Sequence, residues 1–124
     1  MLKKIHTSQA PEAIGPYSQA IVFNGMLFTS GQIAINPATG QVEEASIEGQ
    51  TRQVIKNLEA VLKEAGTSFE KVIKTTCFLS DMKDFAAFNI IYAEHFTEKP
   101  ARSCVAAREL PKQVLVEVEV IAAL

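Results

Sequence analysis

The chain has 124 residues, 48% of them hydrophobic and 21% charged, which fits one globular domain over residues 1–124 and excludes a disordered or fibrous chain. The formal charge is −2 and the twelve basic residues are scattered, so there is no basic stripe of the kind phosphate binding requires and no nucleic-acid partner is expected. No apolar run approaches the roughly 20 residues of a membrane span, and the two cysteines, Cys77 and Cys104, form no CxxC pair; a cytoplasmic protein with reduced thiols and no membrane partner is expected.

After a polar first segment, "YSQAIVFNGMLFTSGQIAI" holds two apolar runs separated by Asn24-Gly25, the signal of a tight hairpin. "NPATGQ" predicts a second turn, because Pro37 fixes φ and Gly40 permits a positive one. From Ser46 to Ala65, Ile47, Thr51, Val54, Ile55, Leu58, Val61 and Leu62 recur at three- and four-residue spacing opposite Lys56, Glu59, Lys63 and Glu64. That spacing predicts an amphipathic helix stopped by Gly66.

"KVIKTTCFLS" is rich in β-branched and aromatic residues and predicts a long strand. Asp81 or Asp84 can cap a second helix, "FAAFNIIYAEHF", with Phe85, Phe88, Ile91, Tyr92, His95 and Phe96 on its dominant face. "RSCVAA" and "QVLVEVEVIAAL", joined by "RELPK", are expected to pair as a closing hairpin.

The order β-β-α-β-α-β-β predicts an α+β architecture with two helices on one face of a mixed sheet. In the last strand Val114, Val116, Val118 and Val120 share one face, and Leu115, Glu117, Glu119 and Ile121 share the other. If the valines meet the helices, the mixed face is left for another copy of the chain, so a closed homo-oligomer is expected.

Among the polar residues, Arg102 stands at the start of an apolar strand segment and is either a rim residue, a clamp for a carboxylate or phosphate, or half of an interface ion pair, with Glu117 as one partner. Glu117 is a general base or water-positioning group if buried, and an ordinary surface acid if not. Tyr17 closes over a ligand or simply packs. Ser30 and Gly31 mark either a close backbone approach to a ligand or a bulge. Asn89 donates to a ligand or to a neighbouring backbone group. Cys104 shares the strand face of Arg102 and, with no base placed beside it, reads as a lining residue. There is no P-loop, no GxGxxG, no HExxH and no metal-ligand cluster, so any chemistry is expected to use water, hydrogen bonds and charge, with no metal and no cofactor.

"IGPYSQA", "TSGQI", "PARSCV" and the trailing "LP" followed by "VEVE" together resemble the RidA (YjgF/UK114) family, in order and over essentially the whole chain. The resemblance implies a chorismate-mutase-like α+β fold, a homotrimer whose sheets assemble into a barrel, and ligand clefts between subunits. It also implies hydrolysis of reactive 2-imino acids, such as 2-iminobutanoate and 2-iminopropanoate, to 2-keto acids and ammonia. Carried over by motif, Arg102 holds the substrate carboxylate and Glu117 positions the attacking water. Tyr17, Ser30, Gly31, Asn89 and Cys104 line and orient the ligand, Gly31 and Cys104 mainly through their backbone. The chain departs from the family pattern before Pro100, where a shorter segment carries Lys99, so a more open or more basic rim is expected. Two other readings compete: a regulator that binds small carboxylates without turnover, and a ribonuclease or translation inhibitor, which the charge balance disfavours.

Overall fold

Asn24 and Gly25 both take positive φ, 52° and 73°. They make the two-residue turn that joins β2 (Ala20–Phe23) to β3 (Met26–Thr29), and β1 (Lys3–Ile5) adds to the outer side of β2. This first strand was not anticipated from the sequence, since three residues with two lysines carry no alternating signal. A short separate pair, β4 (Ile35–Asn36) and β5 (Gln41–Val42), flanks the second expected turn. The computed structural model describes all residues, 1–124.

Helix α1 (Ile47–Ala65) starts where the Ser46 hydroxyl accepts a hydrogen bond from the Gly49 N–H at 3.0 Å. It stops at Gly66, whose φ of 85° lets its N–H reach the carbonyls of Leu62 and Lys63. Val54, Leu58 and Val61 are fully buried on its inner stripe. Helix α2 (Phe85–His95) follows β6 (Val72–Leu79) through a single 3-10 turn. Of the two candidate caps, Asp81 holds that turn by accepting from the Lys83 N–H at 2.8 Å, while Asp84 makes no capping bond.

The expected closing hairpin does not form. The six-stranded sheet runs β1-β2-β3-β8-β6-β7, so β6 lies between β7 (Ala101–Ala106) and β8 (Val116–Ala123). The segment β6-α2-β7 is a crossover, and strands joined through a helix pair in parallel; β7 therefore becomes the outer edge of the sheet. β8 turns back to pair antiparallel with both β6 and β3.

Register fixes which residues share a face. Leu79, Cys77 and Thr75 pair with Val116, Val118 and Val120 beneath the helices, and across the parallel ladder Thr75 and Cys77 pair with Arg102 and Cys104. The expected valine face is the core face: Val116, Val118 and Val120 are at most 2% exposed. Each contributes roughly 1.5 kcal/mol or more by leaving water. Phe78–Glu117, Thr76–Glu119 and Phe28–Ile121 occupy the opposite face, which no helix covers. Arg102 and Glu117 therefore stand on opposite sides of one sheet. No helix of the protein is long and apolar enough to cross a membrane.

Candidate functional site

The first half of the candidate site is built on one stripe of α2. Phe85, Asn89 and Tyr92, at i, i+4 and i+7, face the start of β7. The Arg102 guanidinium lies 4.8 Å from the Tyr92 ring centroid and 5.4 Å from that of Phe85, and its Nη1 donates to Asn89 Oδ1 at 2.7 Å. Cation–π contact and one hydrogen bond set the plane of the fork, and four of its five N–H donors are left without a protein acceptor. No acid pairs with Arg102; the ion pairs of the chain are His6–Glu12 and Arg52–Glu94. The shelf itself is pinned, because Tyr92 Oη and Thr75 Oγ1 share a hydrogen bond of 2.8 Å and the Tyr92 ring stacks on Phe96 at 4.3 Å. Beside Arg102 opens a cleft of about 350 Å³ lined by Asn89, Tyr92, Phe96, Thr97, Lys99 and Arg102.

Cys104 follows on the same face, opposite Cys77 in the parallel ladder. Burial pushes the Cys77 thiol up to about 12 and raises that of Cys104 against the opposing pull of Arg102. Both are free thiols. Raised pKa values keep them protonated near neutral pH, which does not suit a nucleophile.

The second half gathers around β8. Glu117 is half-buried in a cleft of about 250 Å³ that also presents Glu12, Tyr17, Gly31, Gln32 and Lys112. Its carboxyl is raised above the ordinary glutamate range, first by desolvation and second by the negative charge of Glu119. Gly31 stands so close that a β-carbon there would overlap the Glu117 carboxylate oxygen Oε2. Gly31 is therefore a steric requirement of this acid's position. Its backbone φ lies outside the left-handed region, so conformation is not the reason for the glycine.

The chain reaches that close approach because the strand breaks after Thr29. The Ser30 N–H donates to the Gln19 carbonyl at 2.9 Å and its hydroxyl to the Ser18 carbonyl at 2.6 Å, and Gln32 then exchanges both backbone bonds with Val118. From behind, the fully buried Asn57 amide of α1 donates to the carbonyls of Ile33 and Ile35 at 3.0 and 2.9 Å. Tyr17 is 52% exposed at the mouth, where its hydroxyl accepts weakly from the Ile14 N–H at 3.4 Å.

Tyr17, Gly31 and Glu117 are thus brought together in one cleft, and Asn89 and Arg102 in another. Ser30 and Cys104 line neither. Direct pairing of Arg102 with Glu117 within the chain, one of the readings left open by the sequence, is ruled out by the sheet between them. The sequence reading missed the aromatic shelf under Arg102, although the i, i+4, i+7 spacing was its signal. It also missed Gln19, whose buried amide ties Thr7 to Pro11 at the back of the Glu117 cleft.

The chain is thus an α+β protein with an unpaired guanidinium on one sheet face and a carboxyl of raised pKa on the other. The chain belongs to the Endoribonuclease L-PSP family, the group that includes the Rid proteins; the family profile matches residues 7–124. It is 55% identical to the RutC family protein slr0709 of Synechocystis, with 99% of this chain and 97% of the relative covered. Its fold matches the crystal structure of the Rid family protein YyfA from Yersinia pestis with a TM-score of 0.97, at 53% identity over the whole of both chains. TdcF of E. coli, crystallised with bound serine, matches with a TM-score of 0.94 at 43% identity over 98% of each chain. The family expected from the sequence is the one found, and so is the α+β fold with two helices on one face of a mixed sheet.

Proposed function

We propose that the protein hydrolyses small 2-imino acids of the 2-iminobutanoate and 2-iminopropanoate type to 2-keto acids and ammonia, in sites completed between copies of a homotrimer. The carrying observation is Arg102, held over the rings of Phe85 and Tyr92 with no acid beside it. Such a fork is preorganised for a planar carboxylate. The serine bound to TdcF supports the reading, since an α-amino acid carries the same carboxylate and the same nitrogen-bearing carbon.

In this reading Arg102 of one copy holds the 2-carboxylate and presents the protonated imine to Glu117 of another. Water adds to the imine carbon as Glu117 takes its proton. The resulting carbinolamine receives that proton on nitrogen and expels ammonia; its hydroxyl proton leaves to solvent as the ketone forms. A carboxylate raised by burial is suited to this exchange, because it takes a proton from water more readily than a free glutamate and holds it long enough to pass it to the carbinolamine nitrogen, a much stronger base. Tyr17, Gly31 and the backbone near Cys104 orient the ligand, and anchoring at one end converts the water attack into a positioned event.

The test is the decay of 2-iminobutanoate generated in situ from its amino acid. Wild type accelerates conversion to 2-oxobutanoate and Arg102→Ala does not. If wild type leaves the decay rate unchanged while still binding 2-oxobutanoate, the cleft is a sensor of small carboxylates, the second reading that a bound amino acid in a relative favours. The ribonuclease suggested by the family's description finds little support in a chain of net charge −2 with scattered lysines.

A further inference from the structure

The structure assigns Lys99 as a second anion-binding group of the Arg102 cleft, and we infer that the cleft selects ligands with a distal carboxylate: 2-imino and 2-keto dicarboxylic acids. The inference rests on Arg102 being the clamp for the 2-carboxylate.

Lys99 has φ 53°, in the left-handed region, although it is not glycine and immediately precedes Pro100. A residue before proline favours extended backbone, and a side chain in the left-handed region is strained. Strain of this kind persists only where its surroundings hold it. Here the Lys99 N–H donates to the Phe96 carbonyl at 3.2 Å, and Phe96 is buried and stacked on Tyr92, the ring that carries Arg102. One aromatic stack thus fixes both the backbone of Lys99 and the plane of the Arg102 guanidinium. Two residues, Pro100 and Ala101, lie between the two cations, so their Cα atoms are at most about 11 Å apart.

The charge of the cleft points the same way. Lys99 and Arg102 line it together with Asn89 and Thr97, and no Asp or Glu does. Neither cation is in an ion pair. A monocarboxylate satisfies Arg102 and leaves the ammonium of Lys99 without a partner. A dicarboxylate engages both, and a cleft of about 350 Å³ has room for a ligand of that size.

The experiment titrates the full-length protein with 2-oxoglutarate and with 2-oxobutanoate by calorimetry, in wild type, Lys99→Gln, Lys99→Gly and Glu98→Gln. Glu98 is the neighbouring charge outside the cleft lining, and Lys99→Gly keeps a residue that accepts the positive φ, so a loss shared by both Lys99 variants is not a folding defect. Wild type is expected to bind 2-oxoglutarate more tightly. Both Lys99 variants are expected to weaken it by about three- to fivefold, the upper range of one solvent-exposed ion pair, with 2-oxobutanoate changed less than twofold. Glu98→Gln leaves the ratio where it was. Equal weakening of both ligands by Lys99→Gln, or no preference in wild type, overturns the inference.

Imine turnover separates this from the hydrolase reading. A Lys99-dependent preference for the dicarboxylate in a protein that hydrolyses no imine supports the inference and defeats that reading. Turnover of 2-iminobutanoate with an unchanged ligand ratio in Lys99→Gln does the reverse.

Discussion

Gly31→Ala tests whether the position of Glu117 matters to chemistry. A β-carbon at residue 31 would lie 2.8 Å from the Glu117 carboxyl carbon and 3.0 Å from its Cγ, where ordinary contact begins at 3.4 Å, and would overlap the nearer carboxylate oxygen outright. The backbone at Gly31 accepts an alanine without strain, so the conflict falls on the Glu117 side chain. That side chain ends in an open cleft and yields by about an ångström, which keeps the stability loss near the low end of overpacking, about 1 kcal/mol. A displacement of that size at a reacting group lowers the rate by roughly 100-fold. The assay is kcat for imine decay beside a urea melt of the same preparation. A variant that melts like wild type and keeps its kcat within twofold would refute the argument, because the carboxylate would then have moved without consequence.

Further outcomes follow from the same geometry. If a site joins Arg102 of one copy to Glu117 of another, co-refolding Arg102→Ala with Glu117→Gln in equal amounts restores about a quarter of the wild-type rate, the share of random neighbour pairs with both groups intact; no recovery would place both groups in one copy. Removing the Glu119 charge favours the ionised form of Glu117, so Glu119→Gln shifts the acid limb of the kcat/KM profile to lower pH, and a limb that stays put or rises contradicts the assignment of that limb to Glu117. Because the folded chain raises the Glu117 pKa, the unfolded chain loses this proton first, and stability falls as the pH climbs from near 4.5 through the folded value. Glu117→Gln removes that fall: its melts coincide with wild type near about pH 4 and lie above it at neutral pH, by less than about 1 kcal/mol for a half-exposed group. Asn57→Leu takes an amide donor from the carbonyls of Ile33 and Ile35, of which Ile33 keeps the Ile35 N–H at 2.8 Å, and a urea melt is expected to show a loss of about 2 kcal/mol; a loss under about 0.5 kcal/mol would mean the amide does not hold the 31–35 segment.

What the sequence disclosed and what it hid follow a physical division. Local signals were legible: the Asn24-Gly25 turn, the span of the first helix with its stop at Gly66, and the valine face of the last strand each depend on residues within a few positions of one another. Strand order was not. The pairing of Lys74–Leu79 with both Ala101–Ala106 and Val116–Ile121 is non-local, and "RSCVAA" and "QVLVEVEVIAAL" look like a hairpin to any reading that cannot see the strand between them. Arg102 and Glu117 were singled out by residue type and by family resemblance, and their placement on opposite faces emerged only with the register. The Gly31–Glu117 approach stayed hidden for the same reason, since the glycine's φ is ordinary and the need for it lies in a residue far along the chain.

The separation of the two groups has a chemical logic of its own. An arginine and a glutamate facing each other on neighbouring strands would form an ion pair, hold the carboxyl below its ordinary range and use up the donors a ligand carboxylate needs. With β6 and the thickness of the sheet between them, Arg102 finds only aromatic rings and an amide, and Glu117 finds desolvation and a like charge. Each is left without an oppositely charged partner, the state that the proposed binding and proton transfer call for. The cost of leaving both unpaired is borne by a fold whose core lies elsewhere, in the valines beneath the helices. On the proposed reading, a reaction that uses both groups depends on bringing two copies together, because within one chain Arg102 and Glu117 stand on opposite faces of the sheet.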